Sequence, residues 1–379
     1  MKLIKPNASK CKIMKLSSIS NNLYMLSFGI MCVAPSTGLT SQDQAYYYFL
    51  GVSLFFLLIG SVLSRYSAKK ILMIVFLLAL LAIINVLTGE LTLILSFLFI
   101  AFFRGTTYNK TLMQAVALKA FATIVTIMLA ANNIISNGVH TIPKFGENLV
   151  IYDYGFIHPN IFFGNVFCIL ITLFSIYYSR VKWYHLVGAT LLMSYLYFLT
   201  MCRSGFLSWI LFILILVADK VFTKYGKVLL YLIYTYTFPF MFLFSVTICI
   251  LYNYGSSIVL LLDVLLTGRI TFMLNAFNEV GFTLFGGAQI GSENIYIKLL
   301  CGYGIVISIM LMITYVRLIR RLLKMHLHNI AIGLTIFSVY GFVEQFVLNI
   351  TYNPLLLYFS ILFVSLKKII SSQNEEKYT

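Results

Sequence analysis

Apolar runs of roughly 15–25 residues follow one another along the whole chain, separated only by short polar or basic clusters. A run of that length is what a helix needs to cross a hydrocarbon layer. Of the 379 residues, 61% are hydrophobic and 10% charged, against roughly 25% charged in an average soluble protein. The bilayer, rather than two or three soluble cores, therefore sets the architecture.

Hydropathy and breakers together place spans near 22–36, 45–63, 71–88, 90–103, 111–135, 159–178, 185–202, 205–219, 228–252, 294–316, 330–348 and 354–366. The fold class is all-α, a polytopic membrane protein of about 12 transmembrane helices forming one domain over 1–379. Two external segments exceed a turn: 136–158, and the long loop 253–293 between the ninth and tenth spans. The second contains IVLLLDVLL and ITFMLNAF, which read as short amphipathic helices on the bilayer surface.

Five lysines, Lys2, Lys5, Lys10, Lys12 and Lys15, precede the first run, which reads as a retained helix because further spans follow. With that end cytoplasmic, 22 of the 27 basic residues fall on cytoplasmic segments, Lys119 and Lys298 lie within spans, and Lys144, Arg203 and Arg269 are external. Such a bias orients membrane proteins and leaves both termini in the cytoplasm. The formal charge of +16 then reports orientation; no basic stretch is interleaved with base-stacking aromatics, so no nucleic acid is expected. The six cysteines show no CxxC or Cys/His spacing, so neither a disulfide framework, a metal nor a cofactor is expected.

The external cations are the first candidates for chemistry. Arg203, in MCRSGF, and Arg269, in LLTGRITF, carry guanidinium groups suited to bidentate phosphate contact. A snorkelling helix-end arginine is the plainer reading, and the external placement of both favours phosphate. His158, in YDYGFIHPN, opens a helix with Asp153 nearby and is either a base or a hydrogen-bonded interfacial residue. Asn160 is a sugar contact or a helix cap. Glu293, in GSENIY, stands where the long loop returns to the membrane, as a general base or as an acid set against a helix dipole. Asn294 and Lys298, one turn apart, are secondary substrate contacts; intramembrane Lys119 and Glu344 invite partners, Glu344 with either arginine. Gly286, Gly287 and Gly291 allow a close approach to a ligand or form a plain turn.

In order, HPN at 158–160, RSG at 203–205, TGR at 267–269 and FGG…SENIY…GYG over 285–304 resemble the O-antigen polymerase and O-antigen ligase superfamily. The likeness covers about 150 residues of the second half; the first five spans match in character only. It implies a metal-independent glycosyltransferase that extends polyprenyl-diphosphate-linked oligosaccharide into O-antigen, capsule or exopolysaccharide, on the outer face of the bacterial cytoplasmic membrane. Arg203 and Arg269 match the arginines that hold the carrier diphosphate. Where ligases of the superfamily carry a histidine before the asparagine, this chain has Glu293, as the polymerases do. The implied partners are the lipid-linked oligosaccharide, the bilayer, a chain-length regulator and a flippase. The alternatives are a ligase transferring finished glycan and a flippase or transporter of lipid-linked sugar. Candidates clustered at one surface, without an inverted repeat, favour an enzyme over a transporter.

Overall fold

The computed structural model describes residues 8–363 except 65, 104–107, 145–146, 267 and 288. Lys2, Lys5, Arg65, Arg104, Thr267, Lys367, Lys368 and Lys377, and so both expected cytoplasmic termini, lie outside the described residues.

The chain is a helical bundle in which most of the apolar runs become α-helices: α1 (Ala8–Ser36), α2 (Gln44–Val62), α3 (Ala68–Thr88), α4 (Thr92–Phe102) and α5 (Tyr108–Ala131). After an antiparallel hairpin, β1 (Val139–Lys144) and β2 (Glu147–Tyr152), come α6 (Pro159–Ile176), α7 (Trp183–Thr200), α8 (Arg203–Val221) and α9 (Lys224–Asn253). The long loop holds α10 (Ser257–Leu265) and α11 (Arg269–Val280), where the two apolar stretches were expected to be helical. A single turn, α12 (Ile295–Ile297), runs into a π-helical stretch at Lys298–Tyr303, followed by α13 (Ile305–Lys324) and α14 (His328–Tyr340).

Among the described residues, α1, α2, α3, α5, α6, α8 and α9 contain segments long and apolar enough to cross a membrane, which makes this a multi-span membrane protein. The pair α10–α11, bent by 115°, adds an eighth only when read as one span. Residues such as Leu72, Phe76, Val86, Leu191 and Phe198 are exposed, the surface a lipid-facing helix presents. Lipid tails supply no hydrophobic drive between helices, so small residues and buried hydrogen bonds hold the bundle. Ser27 of α1 donates to the Ser53 carbonyl of α2 at 2.6 Å and Ser53 returns the bond at 2.9 Å. Asn165 of α6 donates to Thr123 Oγ1 of α5 at 2.6 Å. Intramembrane Lys119 is buried and donates to the Thr351 carbonyl at 2.8 Å.

Two expected spans are interrupted. The run 294–316 breaks at Gly304, whose φ of +91° leaves the helical region. The run 330–348 ends as helix at Tyr340 and continues through the 3₁₀ segment Gln345–Leu348. Both breaks fall at the end of the bundle where the polar candidates meet. Within a hydrocarbon layer, non-helical backbone has to be buried in protein or line a cavity.

Candidate functional site

The helix starts that frame the site are built locally. His158 caps α6: its Nδ1 accepts the Asn160 backbone N–H at 3.1 Å, and Pro159 fills the first helical position, where no N–H is needed. Asp263 of α10 accepts the backbone N–H groups of Ile270 and Thr271 at 2.7 and 3.1 Å, capping α11 from outside and fixing Arg269 at its first position. Asn294 caps α12 through Oδ1, accepting from the N–H of Tyr296 and Ile297, and its Nδ2 donates to Ser245 and the Phe342 carbonyl. Asn294 is 1% exposed with its amide fully engaged, so it holds the frame together and is no sugar contact, contrary to the sequence expectation.

These elements surround a cavity of about 640 Å³ whose wall includes His158, Asn160, Glu293, Lys298, Glu90 and Glu344. Arg269 stands behind this wall with two carboxylates on one guanidinium: Nη1 meets Glu293 Oε2 at 2.8 Å, and Nη2 donates to Glu344 Oε1 at 3.2 Å. Nη1 also donates to the Val343 carbonyl. The Arg269 side chain is 11% exposed and that of Glu344 8%, whereas Glu293 is 50% exposed. Glu344 lies beyond the end of α14, in the unwound stretch facing the cavity. The arginine keeps its charge because the two carboxylates outweigh its burial.

A second ion pair lines the same cavity. Lys298 Nζ meets Glu90 Oε1 at 2.6 Å and donates to Gln345 Oε1 at 2.6 Å. Glu90 follows the α3 cap, Gly89, so this bond ties the α3–α4 connection to the π-helical stretch. Lys298, expected one turn beyond Asn294, lines this cavity. Its partner was not foreseen, although Glu90 is the acid in LTGELT, between two apolar runs.

No family model, no curated protein and no solved structure matches the chain.

What the site can do rests on its geometry. His158, half-buried beside His140 with ring centroids 5.4 Å apart, has its basicity lowered by burial and by that neighbour. Because Nδ1 accepts the helix N–H, the neutral ring carries its proton on Nε2. His158 is then a hydrogen-bond donor with its other nitrogen already occupied, which counts against the base role expected of it. Asp153, nearby in sequence, closes the hairpin, accepting from Gly138 N–H at 2.8 Å and pairing with His140 at 3.4 Å, and its charge also reaches His158.

Arg203 is half-buried at the first position of α8. It shares the cavity's end of the bundle, since α6 leaves that end at Pro159 and α7 returns to it at Thr200. Cys202 beside it feels the charges of both Arg269 and Glu344. Gly286 and Gly304 serve the fold: a Cβ on Gly286 would lie 2.7 Å from the Gly302 carbonyl, and one on Gly304 2.5 Å from the Leu284 carbonyl. Their close approach is to backbone, whereas Gly291 lines the cavity. Finally, the polar cavity shares Leu93 and Leu348 with an apolar slot of about 170 Å³ bounded by Leu77 and Leu81 of α3, Phe97 of α4 and Leu311 of α13.

Proposed function

We propose that the protein polymerises polyprenyl-diphosphate-linked oligosaccharide repeat units into a surface polysaccharide on the outer face of a bacterial cytoplasmic membrane. The observation carrying this reading is the junction at Leu93 and Leu348 between a charged cavity and an apolar slot. A ligand matching both halves has a large polar head and a long apolar tail. In this reading the chain crosses the membrane about twelve times, keeps both termini in the cytoplasm, and displays 253–293 as its long external loop.

The charge arrangement dictates how a diphosphate is accepted. Three carboxylates, Glu90, Glu293 and Glu344, face two cations, Arg269 and Lys298, so this wall has no surplus positive charge. Glu293 is the exposed partner and the one a diphosphate displaces from Arg269. The exchange frees Glu293 at the moment the donor arrives. The donor's anomeric carbon–oxygen bond then breaks, its electron pair passing to the diphosphate held by Arg269, with Arg203 as the second clamp. A hydroxyl of the incoming repeat unit forms the new glycosidic bond and gives its proton to Glu293. Asn160, Lys298 and His158 Nε2–H line the sugar path.

The test is purified protein supplied with a defined diphospholipid oligosaccharide. A ladder of lengthened products is expected, and Arg269→Ala should lower its rate by about 100-fold or more, the loss typical of removing one charge-stabilising donor. A single capped product identifies a ligase, and translocation without lengthening a transporter; either overturns the proposal.

A further inference from the structure

At the end of α6 away from the polar cavity, a second cavity of about 630 Å³ opens between α6 and α7. The 18 residues of α6 lie between His158 on the polar cavity and Arg180 at the polar end of this one, roughly 27 Å of helix rise and close to one hydrocarbon thickness. Its walls are apolar, Leu170 and Leu173 against Ala189 and Leu192, and Arg180 and His185 stand at its polar end. A Cβ added to Gly188 would meet nothing within 4 Å, so this glycine leaves the slot open.

Arg180 is exposed, its guanidinium 5.9 Å from the Tyr177 ring centroid, and among the described residues no carboxylate pairs with it. Lys182 lies over the Tyr184 ring at 5.8 Å, and Lys220 donates to the Val181 carbonyl at 2.8 Å, adding two cations beside Arg180. Trp183 and Tyr184 are exposed at the start of α7, where amphipathic rings sit at a membrane–water boundary. Beyond them the outer face of α7 is apolar and exposed through Val187, Leu191 and Phe198, so the slot opens towards lipid.

We infer that this slot binds one anionic phospholipid from the leaflet opposite the polar cavity. The headgroup phosphate lies against Arg180 and Lys182, and an acyl chain runs over Gly188 between α6 and α7. A soluble anion would leave the leucine walls empty. A zwitterionic lipid would fill them but bring its own cation against three others.

Native mass spectrometry of the full-length protein in mild detergent tests this, with phosphatidylglycerol and phosphatidylcholine of identical chains as probes. One phosphatidylglycerol should be retained, about fivefold over phosphatidylcholine, the preference expected of a single surface cation. Arg180→Ala should bring that ratio towards one. Gly188→Leu should reduce retention of both lipids. Arg317→Ala, removing an exposed cation on α13, should leave the preference intact. Equal retention of the two lipids by the wild type, an unchanged ratio in Arg180→Ala, or loss of the preference in Arg317→Ala overturns the inference. Should Gly188→Leu fail to fold, the exposed Arg180 position decides the matter alone.

Discussion

Arg269 binds two carboxylates with one charge, and the second of them is left short. Glu344 is the buried one of the two and Glu293 the half-exposed one. His158 separates capping from donation. His158→Asn preserves an acceptor for the Asn160 N–H but removes the Nε2–H donor, while His158→Ala loses both. Only the alanine variant should lose about 1 kcal/mol of stability, and both should slow polymerisation; equal melting of the two variants would argue against the cap. Arg269, Glu293, His158 and Lys298 were legible in the sequence because a charged group outside, or inside, an apolar run has to be explained. Glu90 and Asp263 were missed because their roles exist only once distant segments meet.

Gly304 shows how a motif can be legible without its purpose. Sequence hydropathy reads 294–316 as one uninterrupted span, and only the φ of +91° at Gly304 and its contact with the 283–287 loop break it. Ile305 N–H donates to the Thr283 carbonyl at 2.8 Å and Gly287 N–H to the Gly302 carbonyl at 3.3 Å, so the loop replaces the helical bonds that the break removes. Gly304→Ala would force a Cβ to 2.5 Å from the Leu284 carbonyl and 2.6 Å from the Gly286 nitrogen. Neither neighbour is a flexible side-chain tip. A left-handed backbone with a side chain costs about 1–3 kcal/mol before the clash is counted, so the variant should melt well below wild type. Gly89→Ala, with positive φ but open space, should lose less; a larger loss there would reverse the assignment. The unwinding after Tyr340 was equally hidden, since Phe342, Val343, Phe346, Val347 and Leu348 continue the apolar run around Glu344 and Gln345. It delivers Glu344 to Arg269 and Gln345 to Lys298.

Charge separates the two ends of the bundle. Tyr303 lies on the polar cavity, and α13 starts two residues later and ends in Arg317, Arg320, Arg321 and Lys324. The helix carries those cations roughly 18–29 Å along its axis from its start beside the cavity. α6 and the residues after it do the same for Arg180 and Lys182. The basic bias read from the sequence thus coincides with a spatial axis, polar cavity at one end and surface cations at the other. If cations mark the cytoplasmic side, Gln289 on the cavity wall faces outward and Arg317 inward. Labelling can read this directly, because Cys32, Cys168, Cys202, Cys249 and Cys301 are all buried. In intact cells of a Cys11→Ser background, a membrane-impermeant maleimide should modify Gln289→Cys and spare Arg317→Cys until the membrane is opened. The reverse pattern would put the cavity in the cytoplasm, where an enzyme could not meet a glycan already carried outward, and the proposed polymerase would fail with it. Labelling of both positions in intact cells would show leakage rather than topology, and a cytoplasmic control protein that stays unlabelled excludes that outcome.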